Sequence, residues 1–182
     1  MSEILVLVDK AQDTVRNVTY EVLAAALKLK EKNGASISAV YIGDNAGSIE
    51  GDLGKYGADK VYKIENASLK DFNPSLYAHA LSELVNKIGA DIILGGNTLQ
   101  NQDFLPRVAS KTKGGLTTDA IDIDLTSSST LQVKRYKYSG KSIATLSYHD
   151  VKPMIATIRL NAYKPVEAGA AGESVSESID IP

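Results

Sequence analysis

One recurring pairing constrains this chain more than any other feature. A short, unbroken apolar run ends on an acid or a glycine, and a segment with apolar residues at three- and four-residue steps follows. Glu3 to Asp9 is the first such run, closed by its acid. Val15, Val18, Val22, Ala25, Ala26 and Leu29 then mark one face of a helix that Asn33-Gly34 ends. Ile37 to Ile42 runs into Gly43-Asp44, with a short helix through Leu53 to about Gly57, and Lys60 to Ile64 is a third strand. Pro74 to Ile88 is the clearest helix, with Leu76, Ala80, Leu84 and Ile88 four apart, Asn73 as its cap, Pro74 at its first position and Gly89 at its end. Asp91 to Leu94 runs into Gly95-Gly96-Asn97-Thr98, and a helix from about Asp103 to Thr112 ends at Gly114-Gly115. Continuous rather than alternating burial means strands covered on both faces, which is the signature of a parallel sheet.

Strands alternating with helices imply right-handed crossovers and an α/β fold, a Rossmann-like open and mostly parallel sheet. After Gly115 the helical spacing disappears. Thr117 to Leu125, Leu131 to Tyr138, Ser142 to Tyr148 and Met154 to Leu160 all read as strands, with turns at Ser127-Ser128-Ser129 and Ser139-Gly140. These late strands are expected to extend or flank the sheet, some of them antiparallel. The runs Ile143 to Leu146 and Met154 to Ile158, separated by a polar turn around His149-Asp150 and Pro153, are either adjacent strands or two returns to one sheet. From Pro165 the composition collapses to Ala, Gly, Ser and Glu without a basic residue, too little apolar surface to fold alone. The expected organisation is therefore one α/β domain over 1–164 and a linker or arm over 165–182.

At 182 residues the chain is long enough for a substantial core. A net charge of −2, no Trp and scattered Tyr argue against a nucleic-acid surface. The absence of Cys removes disulfides, thiolate catalysis and iron–sulfur ligation. No window approaches the length of a membrane span, and Ile4 to Val8 is too short for a signal-peptide core, so a cytoplasmic protein without membrane insertion is the expectation.

The Gly95-Gly96-Asn97-Thr98 turn sits at the carboxyl end of a strand, where open α/β sheets bind ligands. No GxGxxG or Walker pattern accompanies it, and a tight structural turn is the preferred reading. His79 and His149 lack metal-site spacing and read as helix and turn residues. Asp119, Asp122 and Asp124 alternate along a strand; solvent-facing edge charges are preferred over a cation site. No GxSxG elbow supports Ser/His/Asp catalysis. Only four arginines occur, Arg16, Arg107, Arg135 and Arg159, and the last three each lie beside an apolar run. Arginine suits bidentate pairing with carboxylate or phosphate, often at interfaces.

These residues carry a family likeness. Gly96-Asn97-Thr98 with Gln102-Asp103-Phe104-Leu105-Pro106-Arg107-Val108-Ala109, then Arg135 with Tyr138-Ser139-Gly140-Lys141 and Ile143-Ala144-Thr145, then Lys152-Pro153 with Ala156-Thr157-Ile158-Arg159, stand in order and at fitting spacing. Together they resemble the N-terminal domain of the electron-transfer flavoprotein alpha subunit. Departures are Tyr136 and Leu160 where that family commonly has Pro, and Ser139 and Asn101 where it commonly has Gly.

The resemblance implies an α/β domain of the adenine-nucleotide-hydrolase-like type that pairs with a beta subunit in a heterodimer. It implies FAD in the complete protein, held mostly by a C-terminal domain absent from this chain, and AMP in the beta subunit rather than here. It implies a carrier of electrons from flavin dehydrogenases to an acceptor, not an enzyme, with no catalytic residue in this domain. Arg107, Arg135, Tyr138 and Arg159 are then interfacial or structural. The alternative is a free-standing nucleotide-binding module of the universal-stress-protein type, with its ligand over Gly95–Thr98.

Overall fold

The computed structural model describes residues 3–12, 14–169, 172–177 and 179–181. In chain order the elements are β1 (Glu3–Leu7), a small hairpin of β2 (Lys10–Ala11) and β3 (Thr14–Val15), α1 (Asn17–Asn33), β4 (Ser36–Gly43), α2 (Glu50–Lys55) and β5 (Lys60–Glu65). A 3-10 turn at Ala67–Leu69 leads to α3 (Pro74–Ile88), β6 (Ile92–Gly96), α4 (Leu99–Thr112), β7 (Gly115–Leu125), β8 (Leu131–Lys137), β9 (Ser142–Ser147), β10 (Met154–Ile158) and β11 (Glu173–Glu177). Local chemistry sets the helix ends. The Asn73 side chain accepts from the amides of Ser75 and Leu76 at 3.0 and 3.3 Å, and Gly89 turns left-handed at φ 66° to close α3. Helix α4 begins four residues before the expected Asp103, because the Thr98 hydroxyl takes the Asn101 amide as a cap and Pro106 is accommodated inside the helix.

Among the described residues nine strands form one sheet in the order β11-β5-β4-β1-β6-β10-β7-β8-β9. All pairings from β11 to β7 are parallel, and β7–β8 and β8–β9 are antiparallel. The continuous apolar runs divide by parity between the two faces. Ile4, Val6, Ile37 and Ala39 meet α1 and α2, whereas Leu5, Leu7, Val40 and Ile42 meet α3 and α4. Burial on both faces is why these runs do not alternate.

Two late elements differ from the sequence expectation. The strands β8 and β9 flank the sheet as expected, but β10 does not. It inserts between β6 and β7, so the runs Ile143 to Leu146 and Met154 to Ile158 are two separate returns to the sheet, one at its edge and one inside. All five β10 residues are buried. The tail read as a linker or arm supplies β11, which pairs with β5 from Glu173↔Lys60 to Glu177↔Ile64. Main-chain bonding needs little apolar area, and a backbone thin enough to approach α2 does the rest. An added Cβ on Gly169 would collide with the Gly54 carbonyl. The amides of Ala168 and Gly169 donate to the Lys55 carbonyl at 3.1 and 3.2 Å, and Val175, Ile179 and Ile181 cover the core under α3. Tail positions 170, 171, 178 and 182 lie outside the described residues.

Candidate functional site

Strand order reverses at β1, with β4 and β5 on one side and β6 on the other, so the carboxyl ends of β1 and β6 form the topological switch point. The end of β1 delivers Asp9 there, and the start of α4 delivers Thr98 and Asn101. Thr98 Oγ1 donates to Asp9 Oδ1 at 3.1 Å and Asn101 Nδ2 donates to Asp9 Oδ2 at 3.0 Å. Asn101 Nδ2 also reaches the Gly96 carbonyl at 2.9 Å. Burial pushes the Asp9 carboxyl above its usual range, although both hydrogen bonds and Arg16 pull it down. This network ties the end of β1 to the start of α4. The glycines of the turn answer to the protein's own packing, since an added Cβ on Gly96 would strike Val18 of α1. A buried carboxylate with both oxygens committed does not fit a flavin pyrophosphate, and no GxGxxG loop cradles one. Sequence reasoning noted Asp9 only as the end of a strand; an acid terminating a fully apolar run was the available signal.

Beside the switch point, a cleft of about 370 Å³ opens at the carboxyl ends of β1 and β4. Asp9, Tyr41 and Asn101 line it together with Phe72, Tyr77 and Phe104. The last three pack edge to face, with Phe72 and Tyr77 ring centroids 5.0 Å apart. Burial pushes the Tyr77 phenol up to about 12, so it stays protonated at neutral pH and offers no base.

A second polar cluster lies at the ends of β6 and β10 and against the middle of β7. Arg159 donates to both oxygens of Asp119, from Nε at 2.9 Å and Nη2 at 2.7 Å. Its guanidinium also lies 5.0 Å from the Tyr136 ring centroid. Asp119 has φ 64°, where β7 shifts register against β10. Its amide donates to Thr157 Oγ1 at 2.9 Å, and Thr157 Oγ1 donates to Asn97 Oδ1 at 2.8 Å. The Arg159 guanidinium holds the Asp119 carboxyl below the usual carboxylate range.

The other expected residues are dispersed. Arg107 makes an exposed pair with Asp103 at 3.3 Å on α4. Arg135 reaches Thr118 Oγ1 at 3.4 Å and keeps a buried Nε without a partner among the described residues. Tyr138 stands 80% exposed at the tip of the β8–β9 hairpin. His79 Nε2 contacts the Asp180 carbonyl at 3.0 Å, and His149 lies beyond the end of β9. The acidic series does not line an edge, because β7 is an interior strand. Asp122 pairs with Lys28 at 2.6 Å and Asp124 with Lys32 at 2.5 Å, so an i,i+2 step on the strand matches an i,i+4 step on α1. Among the described residues no group of His, Asp and Glu is arranged to hold a metal. No helix among the described residues is long and apolar enough to cross a membrane.

A doubly wound parallel sheet with an antiparallel flank defines a Rossmann-like α/β domain. The electron transfer flavoprotein domain family matches it over residues 4–181, and the chain belongs to that family. It is 33% identical over 162 residues to the electron transfer flavoprotein subunit alpha of Thermoanaerobacterium thermosaccharolyticum, covering 89% of this chain and 49% of that protein. It is 32% identical over 180 residues to the subunit of the same name in Bacillus subtilis, covering 98% and 54%. A protein of Acetobacterium woodii named as a subunit of lactate dehydrogenase (NAD(+),ferredoxin) is 29% identical over 164 residues, covering 90% and 39%. The chain thus spans about half the length of the first two relatives. The likeness carried by the three sequence segments is borne out at the level of the family.

Proposed function

We propose that this chain is the scaffold domain of an electron-transfer flavoprotein alpha subunit, pairing with a beta subunit in a carrier that moves electrons from flavin dehydrogenases to an acceptor. The relatives named as alpha subunits support the assignment. The observation that carries the scaffold reading is the switch point itself, where both Asp9 oxygens are bound by Thr98 and Asn101 and no phosphate-gripping glycine loop is present. In this reading FAD is held by chain outside these residues and AMP belongs to the beta subunit. The residues described here fix the fold and present surfaces, and the chain holds no redox group of its own.

The test is direct. Purified alone, the chain is expected to show no flavin absorbance and to bind neither FAD nor AMP in calorimetric titration. Mixed with the beta subunit of the same organism, it is expected to elute as a complex. A stoichiometric flavin on the isolated chain overturns the scaffold reading, and failure to associate with the beta subunit overturns the pairing.

A further inference from the structure

The β8–β9 hairpin differs chemically from the rest of the molecule. Between Leu131 and His149 the chain carries Lys134, Arg135, Lys137 and Lys141 and no acid, although its net charge is −2. Among the described residues strand β9 pairs only with β8, and its other edge is free along Ser142–Ser147. Such an edge offers a row of main-chain donors and acceptors. Natural edges are usually guarded by polar side chains, yet here Ile143 is 58% and Leu146 37% exposed. Ile143 lies opposite Tyr136, itself partly exposed, so the two form an apolar pair on the hairpin.

The tip adds a second observation. Tyr138, Ser139 and Gly140 are consecutive left-handed residues at φ 51°, 54° and 87°. A bulky aromatic residue is disfavoured there, and the result is a Tyr side chain 80% exposed to solvent. Projecting aromatic side chains with arginine nearby are the usual anchors of protein interfaces. At the base of the hairpin, the buried Arg135 Nε donor lacks an acceptor among the described residues.

We infer that the β8–β9 hairpin is a docking edge for a protein partner that adds an acidic extended strand, with alternating apolar side chains, along β9. Carboxylates of that strand meet Lys137 and Lys141, and its apolar positions cover Ile143 and Tyr136, which share one face of the hairpin, Leu146 lying on the other. Its main chain continues the sheet beyond β9. Charge complementarity selects an acidic segment. The free edge and its aliphatic side chains select a peptide over a nucleic acid, which reads cationic and stacking groups and gains nothing from unpaired strand amides. The inference goes beyond the flavoprotein reading and does not depend on which partner supplies the strand.

The test uses the full chain and a capped peptide of about six residues, the ordinary strand length, alternating Glu and Val. Binding is followed by amide chemical shifts and exchange. The expected result is slowed exchange confined to Ser142–Ser147, weakening as salt is raised. The Lys137→Glu/Lys141→Glu double variant is expected to lose about tenfold in affinity for this peptide and to gain affinity for the Lys-Val counterpart. That reversal distinguishes lost recognition from lost folding. No binding, equal binding of a Ser-Val peptide, or perturbation away from β9 overturns the inference. So does tighter binding of single-stranded DNA than of the Glu-Val peptide.

Discussion

Arg159 grips Asp119 through both carboxylate oxygens, at 2.9 and 2.7 Å, across the seam between β10 and β7. The Arg159 amide also donates to the Ala120 carbonyl at 2.8 Å, so main chain and side chain fasten the same junction. Asp119 reaches this position through a left-handed backbone, where Asp and Asn are the least costly non-glycine residues. The pair therefore fixes the point at which a late strand joins the interior of the sheet.

Asp119→Asn keeps that backbone and removes the charge, so it isolates the ion pair. The Arg159 guanidinium lowers the folded-state pKa of Asp119, against an opposing pull from partial burial. A lowered carboxylate contributes stability above its unfolded value of about 3.9 and loses it as pH falls through the lower folded value. The melting temperature of the wild type is expected to fall faster than that of the variant as pH drops below about 4. Parallel acid branches would refute the pairing's role in stability.

Asp9 has the opposite sign. Burial raises its folded-state pKa, so the native state binds the proton more tightly than the unfolded chain. The associated stability is complete below the unfolded value of about 3.9 and is lost as pH rises through the folded value. Asp9→Asn, which cannot ionise, is expected to gain on the wild type in thermal stability across that window and to hold the gain at neutral pH. A variant that instead loses ground as pH rises would show that the Thr98 and Asn101 bonds outweigh burial.

The parts of the fold written in local patterns were legible in the sequence. The run Ile4 to Val8, the Asn73 cap and the four-residue steps of α3 each needed only their neighbours to be read. The likeness spread over Gly96, Arg135 and Arg159 was legible as a family pattern without revealing which side chains touch. Strand order was not written locally. Met154 to Ile158 carries the same apolar signature whether it closes an edge or enters the interior, and only the pairing with β6 and β7 decides. Asp119, Asp122 and Asp124 were visible as a series, but apart from Lys134 on the neighbouring strand their cations come from α1 and from beyond β10, far away in sequence. In the tail, Gly and Ala read as lack of structure because their function here is close backbone approach, which composition does not distinguish from disorder.

The interior position of β10 has an energetic consequence. Ile155 is fully buried among the side chains under α3 and α4. Ile155→Ala is expected to destabilise the protein by about 2–5 kcal/mol, through lost transfer energy and the cavity left behind. Chemical denaturation with an unchanged m-value measures it. A loss under about 1 kcal/mol, as expected of a half-exposed edge position, would contradict the placement of β10.

The docking of the tail can be separated from the stability of the domain. Gly169 passes so close to Gly54 that an added side chain must displace the segment. The strand beyond it is held by the Glu173 amide donating to the Asp59 carbonyl at 3.0 Å, by the ladder to β5, and by the ion pair between Lys87 and Glu177. Gly169→Val is expected to speed amide exchange over Glu173–Glu177 while leaving β1 and β6 protected, because β11 is an outer strand whose opening is local. The global cost should stay within about 1–3 kcal/mol, the usual range for overpacking. If these amides exchange rapidly in the wild type as well, the tail does not reside on β5 and the sheet ends at β5.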